Sequence, residues 1–393
     1  LSMADARLYE AASALGASRT RTFLTVTLPG AKYGVVSACF VVFTLVITDF
    51  GIAKVIGGRF NVLATDVYKQ VVGQQNFEMG AVVGMVLLLP AVLAFVADRF
   101  EQRRQVAVLS ARAVPLEPRP SAARDWVLFA YCAVVASLLL AILLVAAWGS
   151  LIKFWPYNLS LTLANYEFDK FDASGWGAYA NSLQLAAWTA TIGTAVVFLG
   201  AYMVEKSRGF GAARGIVQLL AMLPLAVPGL VLGLAYIFFF NARWNPLGFL
   251  YATMGILVLN TVAHFYTVSH LTAATALKQL DAEFESVGAS LKVPFWTTLW
   301  RVTIPVCSPA ILDIFVYLFV NAMTTVSAVI FLYSTNSKLA SISVVNMDEA
   351  GFTAAAAAMA VTIVATSAAV KLLHLALDAL LARTTHAWRR RTR

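Results

Sequence analysis

Apolar runs long enough to cross a lipid bilayer dominate this chain and restrict what it can become. A spanning helix needs about 20 apolar residues, and runs of that class fall at approximately 33–53, 79–97, 126–148, 182–203, 216–240, 248–270, 310–333 and 352–380. Lipid offers no water to backbone polar groups, so each run must pair its own N–H and C=O groups as a helix. Strands of a membrane barrel would be shorter and would alternate polar with apolar. The sequence predicts an all-α, polytopic membrane protein with about eight transmembrane helices. Composition agrees: 60% of the residues are hydrophobic and 12% charged, against roughly 25% charged in an average soluble domain.

The net charge of +9 does not signal nucleic acid, because the basic residues sit between apolar spans and not on one face of a soluble fold. They sort by side. Segments 1–32, 98–124, 204–215, 271–309 and 381–393 hold 21 lysines and arginines, whereas 54–78, 149–181, 241–247 and 334–351 hold 7. That bias places the N-terminal segment and the C-terminal tail in the cytoplasm. The aromatic-rich outside loop reads as an interfacial belt, with Trp155 and Trp176 at headgroup level. Cys39, Cys132 and Cys307 lack metal-ligand or disulfide spacing. Segment 98–124, with Pro115, Pro118 and Pro120 among its charges, reads as a cytoplasmic linker.

A repeat organises the rest. Asp5–Pro29 aligns without a gap on Asp281–Pro305 at an offset of 276: Asp5, Ala6, Leu15, Val26, Thr27 and Pro29 meet Asp281, Ala282, Leu291, Val302, Thr303 and Pro305. Farther on, Phe43 meets Phe319, Thr48 meets Thr324, and Leu63-Ala64 meets Leu339-Ala340. Two homologous halves follow. Residues 1–97 read as the end of a first half (one cytoplasmic segment and two spans), and 125–393 as a complete second half of six spans. A chain opening on "LSMADARLYEAA" is expected to be the later part of a longer one, its first half truncated. Each copy of the segment reads as a short amphipathic helix on the cytoplasmic face, with a carboxylate near its positive end and a closing proline that stops or re-aims the chain.

Glu10-Ala11-Ala12, Gly16, Val26, Leu28 and Pro29 fit the pattern E-A-A, three residues, G, nine residues, I/V-x-L-P. In this the chain resembles the membrane permease subunits of binding-protein-dependent ABC importers, of the fused two-motif type seen in ferric-iron permeases. The second copy is degenerate: Ser286 stands in the glutamate position with Glu285 beside it, Lys292 replaces the glycine, and Pro305 keeps the end. The stretches "SLKVPFWTTLWRVTIP", "NAMTTVSAVIFLYS" and "NMDEAGFTAAAAAMAV" resemble permeases for 2-aminoethylphosphonate. The resemblance implies a type I importer permease fold in the bacterial inner membrane. It further implies a dimeric ATP-binding cassette ATPase seated on the two cytoplasmic segments, and a periplasmic solute-binding protein. On it, Glu10, Ala11, Ala12, Gly16, Pro29, Glu285, Lys292 and Pro305 carry ATPase coupling. Gly16 would allow a sharp bend that Lys292 makes at greater cost. The implied solute is 2-aminoethylphosphonate or a related phosphonate, with ferric iron as the alternative.

The chain carries no GxxxxGK[ST] phosphate loop, so ATP hydrolysis is expected on a separate subunit, and no cofactor is implied. For the solute path, Asn321, Thr324, Thr325 and Ala328 fall at i, i+3, i+4 and i+7, one helical stripe, with Thr48 and Asp49 at the matching place in the first half. Such a stripe either lines a pathway or bonds helices together. Asp49 either faces a cavity or meets water at the edge of its span. "LPLAVPGLVLG", with Pro224, Pro228, Gly229 and Gly233, predicts a bent or locally unwound helix. His264 and His270 do not share a helix face, which argues against a metal pair. An ion-coupled secondary transporter is the rival class, but coupling carboxylates at mid-membrane are wanting apart from Asp49 and the near-terminal Asp313. A membrane enzyme would need a clustered nucleophile or acid-base set, and none is visible.

Overall fold

The computed structural model describes residues 5–104, 121–206, 211–280, 287 and 290–385. Among these, helix is the dominant state, joined by one short antiparallel hairpin, Ile152–Phe154 with Asn158–Leu161. The chain forms two units. One comprises residues 1–48 and 89–144, the other 49–88 and 145–393.

In the first unit, Asp5 caps the helix Ala6–Ala14 by accepting from the Arg7 N–H at 3.1 Å. Ser18 caps the next turn, Arg19–Thr22, in the same way through the Arg21 N–H. A π-helical turn, Phe23–Thr27, leads into the apolar helix Leu28–Thr48. The Tyr9 hydroxyl donates to Thr27 Oγ1 at 3.1 Å and holds the first helix against that turn. The helix Ala122–Ser150 belongs to this unit as far as Leu144, and its side chains from Trp126 to Leu144 are largely exposed. Water would not tolerate that surface; lipid accepts it.

The second unit is built around the helix Gly175–Lys206, which packs on Ser308–Thr324, Tyr266–Lys278 and Met254–His264. Its inward face is mostly small: Ala186, Ala190, Gly193 and Ala201 are buried. A Cβ at Gly193 would lie 2.7 Å from Leu318 Cδ1 and 3.2 Å from Val262 Cγ2, so the helices approach only because none is there. Around this contact, Phe168, Ala322, Met323, Ala340, Met347 and Met359 close one apolar cluster, and Phe198, Leu277, Leu299, Ile314 and Leu318 another.

Among the described residues, four helices are long and apolar enough to cross a membrane: Phe77–Ala97, Ala122–Ser150, Gly175–Lys206 and Thr353–Leu380. Three bent pairs raise the number to 7 if each counts as one span. Of the expected spans, 216–240 is bent within itself, 33–53 and 310–333 follow a bend at or just before their start, and 248–270 divides into Met254–His264 and Tyr266–Lys278 at Phe265. The proline-rich span breaks most sharply: Ala213–Leu225 and Gly229–Phe240 meet at 115°. Pro228 has no N–H to continue the ladder, and the Thr267 hydroxyl donates to the Ala221 carbonyl at 2.8 Å in the turn before the break, replacing part of what the break loses.

Candidate coupling segments and pathway residues

From the left-handed residue onward, the described parts of the two copies of the repeated segment correspond at the offset of 276. Arg19–Thr22 answers to Phe295–Thr298, and the π-helical turn Phe23–Thr27 to Leu299–Thr303. The helix Leu28–Thr48 and the helix Ser308–Thr324 end at matching residues, and Phe77–Arg104 and Thr353–Thr385 begin at matching residues. π-helical turns are rare, so one at the same place in each copy is a strong local correspondence.

Each copy turns on one left-handed residue. Gly16 has φ +67°, and its repeat partner Lys292 has φ +54°. The substitution of lysine therefore did not remove the bend. It imposes on a residue with a Cβ a conformation costing roughly 1–2 kcal/mol. Before each of these residues stands an exposed leucine, Leu15 at 86% and Leu291 at 70%. Glu10, Ala11 and Gly16 are exposed and Ala12 is half-buried. Glu285 lies outside the described residues, as do 105–120 of the expected linker and the tail 386–393.

The prolines act differently from expectation. Neither stops its helix: Pro29 is the second residue of Leu28–Thr48, and Pro305 lies in Ile304–Val306, which continues the π-helical turn. Each proline lies inside a continuous helical path, Arg19–Lys32 or Phe295–Val306, directly after a π-helical turn, where its missing N–H interrupts the ladder. The re-aiming comes slightly later, by 56° between Arg19–Lys32 and Gly34–Thr48 and by 76° between Phe295–Val306 and Ser308–Thr324.

The expected stripe of Asn321, Thr324, Thr325 and Ala328 does not form on one helix. The helix ends at Thr324, and Thr325 is extended at φ −66°, ψ 133°. Asn321 donates to the Tyr317 carbonyl at 2.7 Å and Thr324 to the Val320 carbonyl at 3.1 Å, each tied to its own preceding turn. Thr325 is buried, and its carbonyl accepts from Ser341 at 2.6 Å. The Ala328 carbonyl accepts from Asn260 Nδ2 at 2.6 Å. Irregular backbone at this depth is tolerated because neighbouring side chains satisfy it. Asp49 follows the end of Leu28–Thr48, half-buried, and accepts from the Ile52 N–H at 3.2 Å. That makes it a local cap at the edge of its span.

Two features escaped sequence reasoning. Lys54 makes an ion pair with Glu349 while its ammonium lies 4.6 Å from the centroid of the Tyr68 ring. Burial, then the negative field of Glu349 and Tyr333, pushes the Tyr68 hydroxyl up to about 12. The second is a cavity of about 590 Å³ lined by Gln74, Gln75, Asn76, Glu78, Asn241 and Tyr251 among others. The amide run Gln74-Gln75-Asn76 between apolar segments was the available signal.

Three comparisons bear on this architecture. A ferric transport system permease protein, FbpB, of Actinobacillus pleuropneumoniae is 28% identical over 87% of this chain and 50% of its own length. A putative ferric transport system permease protein, FbpB 1, of Haemophilus influenzae is 28% identical over 84% of this chain and 52% of its own. The chain thus spans about half the length of these curated relatives. Among solved structures, a bacterial ABC transporter involved in the import of the acidic polysaccharide alginate aligns at a TM-score of 0.53, with 15% identity, over 66% of this chain and 96% of that chain. A second structure, of a bacterial alginate ABC transporter in complex with alginate pentasaccharide-bound periplasmic protein, gives 0.50 with 16% identity over 67% and 96%. These likenesses establish the type I importer permease fold. The family profile for the binding-protein-dependent transport system inner membrane component matches residues 1–106 and 196–383, both copies of the repeated segment included, and the chain belongs to that family.

Proposed function

We propose that this chain is the transmembrane permease part of an ABC importer and that the solute it passes is ferric iron delivered by a periplasmic binding protein. The observation that carries the solute is the ferric naming of both relatives, each aligned over more than four fifths of this chain. Residues 1–97 and 125–393 act as two permease halves, the first represented by its last part. Each half presents one left-handed turn, at Gly16 or Lys292, to a separate ATPase dimer, with Leu15 and Leu291 as the exposed apolar contacts. ATP-driven closure of that dimer moves the two segments, and the π-helical turns behind them pass the motion to the helices that follow.

The bias of basic residues supports a cytoplasmic position for both segments and for the C-terminus. A phosphonate substrate is the second reading, favoured by the residue stretches around Asn321 and Asp348. Uptake of radiolabelled ferric iron and growth on 2-aminoethylphosphonate as sole phosphorus source, compared in cells with and without this gene, separate the two. Iron uptake should fall on deletion and be sensitive to vanadate. Unchanged iron uptake with lost growth on the phosphonate would reject the iron assignment. Vanadate-insensitive uptake would reject the importer mechanism itself.

A further inference from the structure

We propose that Asp313, His374 and Asp378 form a binding site for one divalent transition-metal ion of the zinc, manganese or iron(II) class. His374 and Asp378 stand one helical turn apart on Thr353–Thr385, and Asp313 reaches them from Ser308–Thr324. His374 Nε2 lies 3.1 Å from Asp378 Oδ2 and 3.4 Å from Asp313 Oδ1, and the three candidate ligand atoms all fall within 4.8 Å of one another. Ligands about 2.1 Å from a common ion and subtending tetrahedral or square angles are separated by roughly 3.0–3.4 Å. The imidazole is therefore already at ligand spacing from each carboxylate.

Burial sharpens the case. His374 is only 2% exposed, yet its Nε2 makes no hydrogen bond of acceptable geometry among the described residues, and neither does Asp378 Oδ1. Nε2 thus faces both carboxylates at ion-pair distance without a well-aligned hydrogen bond to either, a position that an ion held between them would satisfy. The carboxylates themselves are partly exposed, Asp313 at 55% and Asp378 at 36%, which leaves an approach from solvent. One imidazole and two carboxylates form a mixed nitrogen and oxygen set, which suits borderline divalent ions better than calcium or a thiolate-seeking ion.

Lys371 opposes the ion. Its ammonium donates to His374 Nδ1 at 3.0 Å, which fixes the proton on Nε2, the nitrogen a metal would need. Binding requires Lys371 to swing away so that Nδ1 takes the proton. An ion held here would tie the last helix to the helix that leads out of the second repeated segment.

The test is metal content and cobalt absorption of the intact permease, purified through a histidine-free tag, after equilibration with Zn²⁺, Mn²⁺ or Co²⁺ and exhaustive dialysis. One ion per chain is expected, with visible Co²⁺ bands from an imidazole and carboxylate set. H374Q and D378N should each weaken binding by about tenfold or more. D378N alters a partly exposed group and keeps the side-chain size, so it also answers for H374Q should that variant fold poorly. K371M should tighten binding several-fold, an outcome that a simple hydrogen-bonded cluster would not give. Equal metal content in the parent and D378N, no retained ion in the parent, or K371M without effect on affinity would each overturn the proposal.

Discussion

Gly16 provides the strictest test of the coupling-segment reading, because its environment separates backbone strain from crowding. A Cβ built on it meets nothing within 4 Å, while its φ of +67° lies where side chains are strained. Substitution should therefore be penalised by conformation and not by volume. A residue with a Cβ pays about 1–2 kcal/mol in this region, and asparagine is among the few that enter it routinely. Such a cost shifts the balance between bent and unbent segment by a factor of about 5–30. The expected order of integrity is Gly16, then Gly16→Asn, then Gly16→Ala, then Gly16→Val. Trypsin reads the segment directly in purified protein, since Arg19 and Arg21 are exposed just beyond the turn. Cleavage there should accelerate by about the same factor in Gly16→Val, and uptake normalised to inserted protein should fall in the same order. Lys292→Gly should have the opposite sign in the second copy, relieving strain less the roughly 0.5–1 kcal/mol of freedom that glycine loses on folding. If Gly16→Asn were as damaging as Gly16→Val, or if Gly16→Val were harmless, the argument from backbone conformation would be wrong.

Three further outcomes are expected. A double-mutant cycle of Lys54→Met and Glu349→Gln should give a coupling of about 0.5–1 kcal/mol in thermal or denaturant unfolding; no coupling would mean that the ion pair does not hold the two segments together. Lys338 meets both oxygens of buried Asp172, at 2.9 and 2.8 Å. Although burial raises the Asp172 value, the Lys338 bond, with Ser343 and the Ser174 N–H, holds it below the usual carboxylate range. The stabilisation is thus present above the unfolded value of about 3.9 and lost as pH falls through the lower folded value. Lys338→Met should cost about 3 kcal/mol near neutral pH, and the deficit should vanish in acid; a pH-independent deficit would refute the electrostatic account. Single cysteines at Arg104 and Arg391 in a cysteine-free background should resist an impermeant thiol reagent in intact cells, and ready labelling at either would reverse the topology.

Hydropathy located the unbroken spans at 79–97, 126–148, 182–203 and 352–380 because lipid and buried helix faces make the same demand on composition. It failed where burial is by protein. The run 310–333 is apolar to its end, yet the helix stops at Thr324, and Ala328, Val329, Ile330 and Leu332 are buried in irregular backbone. Nothing local distinguishes such a segment from a helix. What permits it is Asn260 on the Ala328 carbonyl and Ser341 on the Thr325 carbonyl, partners brought by the fold. The bend at Pro228 was legible because proline removes a donor wherever it stands. The pairing of Lys54 with Glu349 was not, since charge complementarity between distant segments has no periodicity to read.

The repeat shows which part of a motif carries information. Read residue by residue, the second copy is degraded, with Lys292 in place of the glycine. Read as backbone, its described part keeps the shape: the left-handed residue, the single turn, the π-helical turn and the helix after it all recur 276 positions on. The sequence pattern is thus one solution to a geometric demand, and lysine is a costlier one. The side chains around the two turns have meanwhile diverged. Phe23 and Leu24 are exposed beside the first, whereas Phe295, Trp296 and Trp300 are exposed beside the second, and aromatic side chains of that size dominate the energetics of a contact they enter. Two identical partner surfaces, as in a homodimeric ATPase, would then meet the same backbone shape with unequal apolar contacts. Trp296→Ala should accordingly weaken ATPase binding more than Leu24→Ala does.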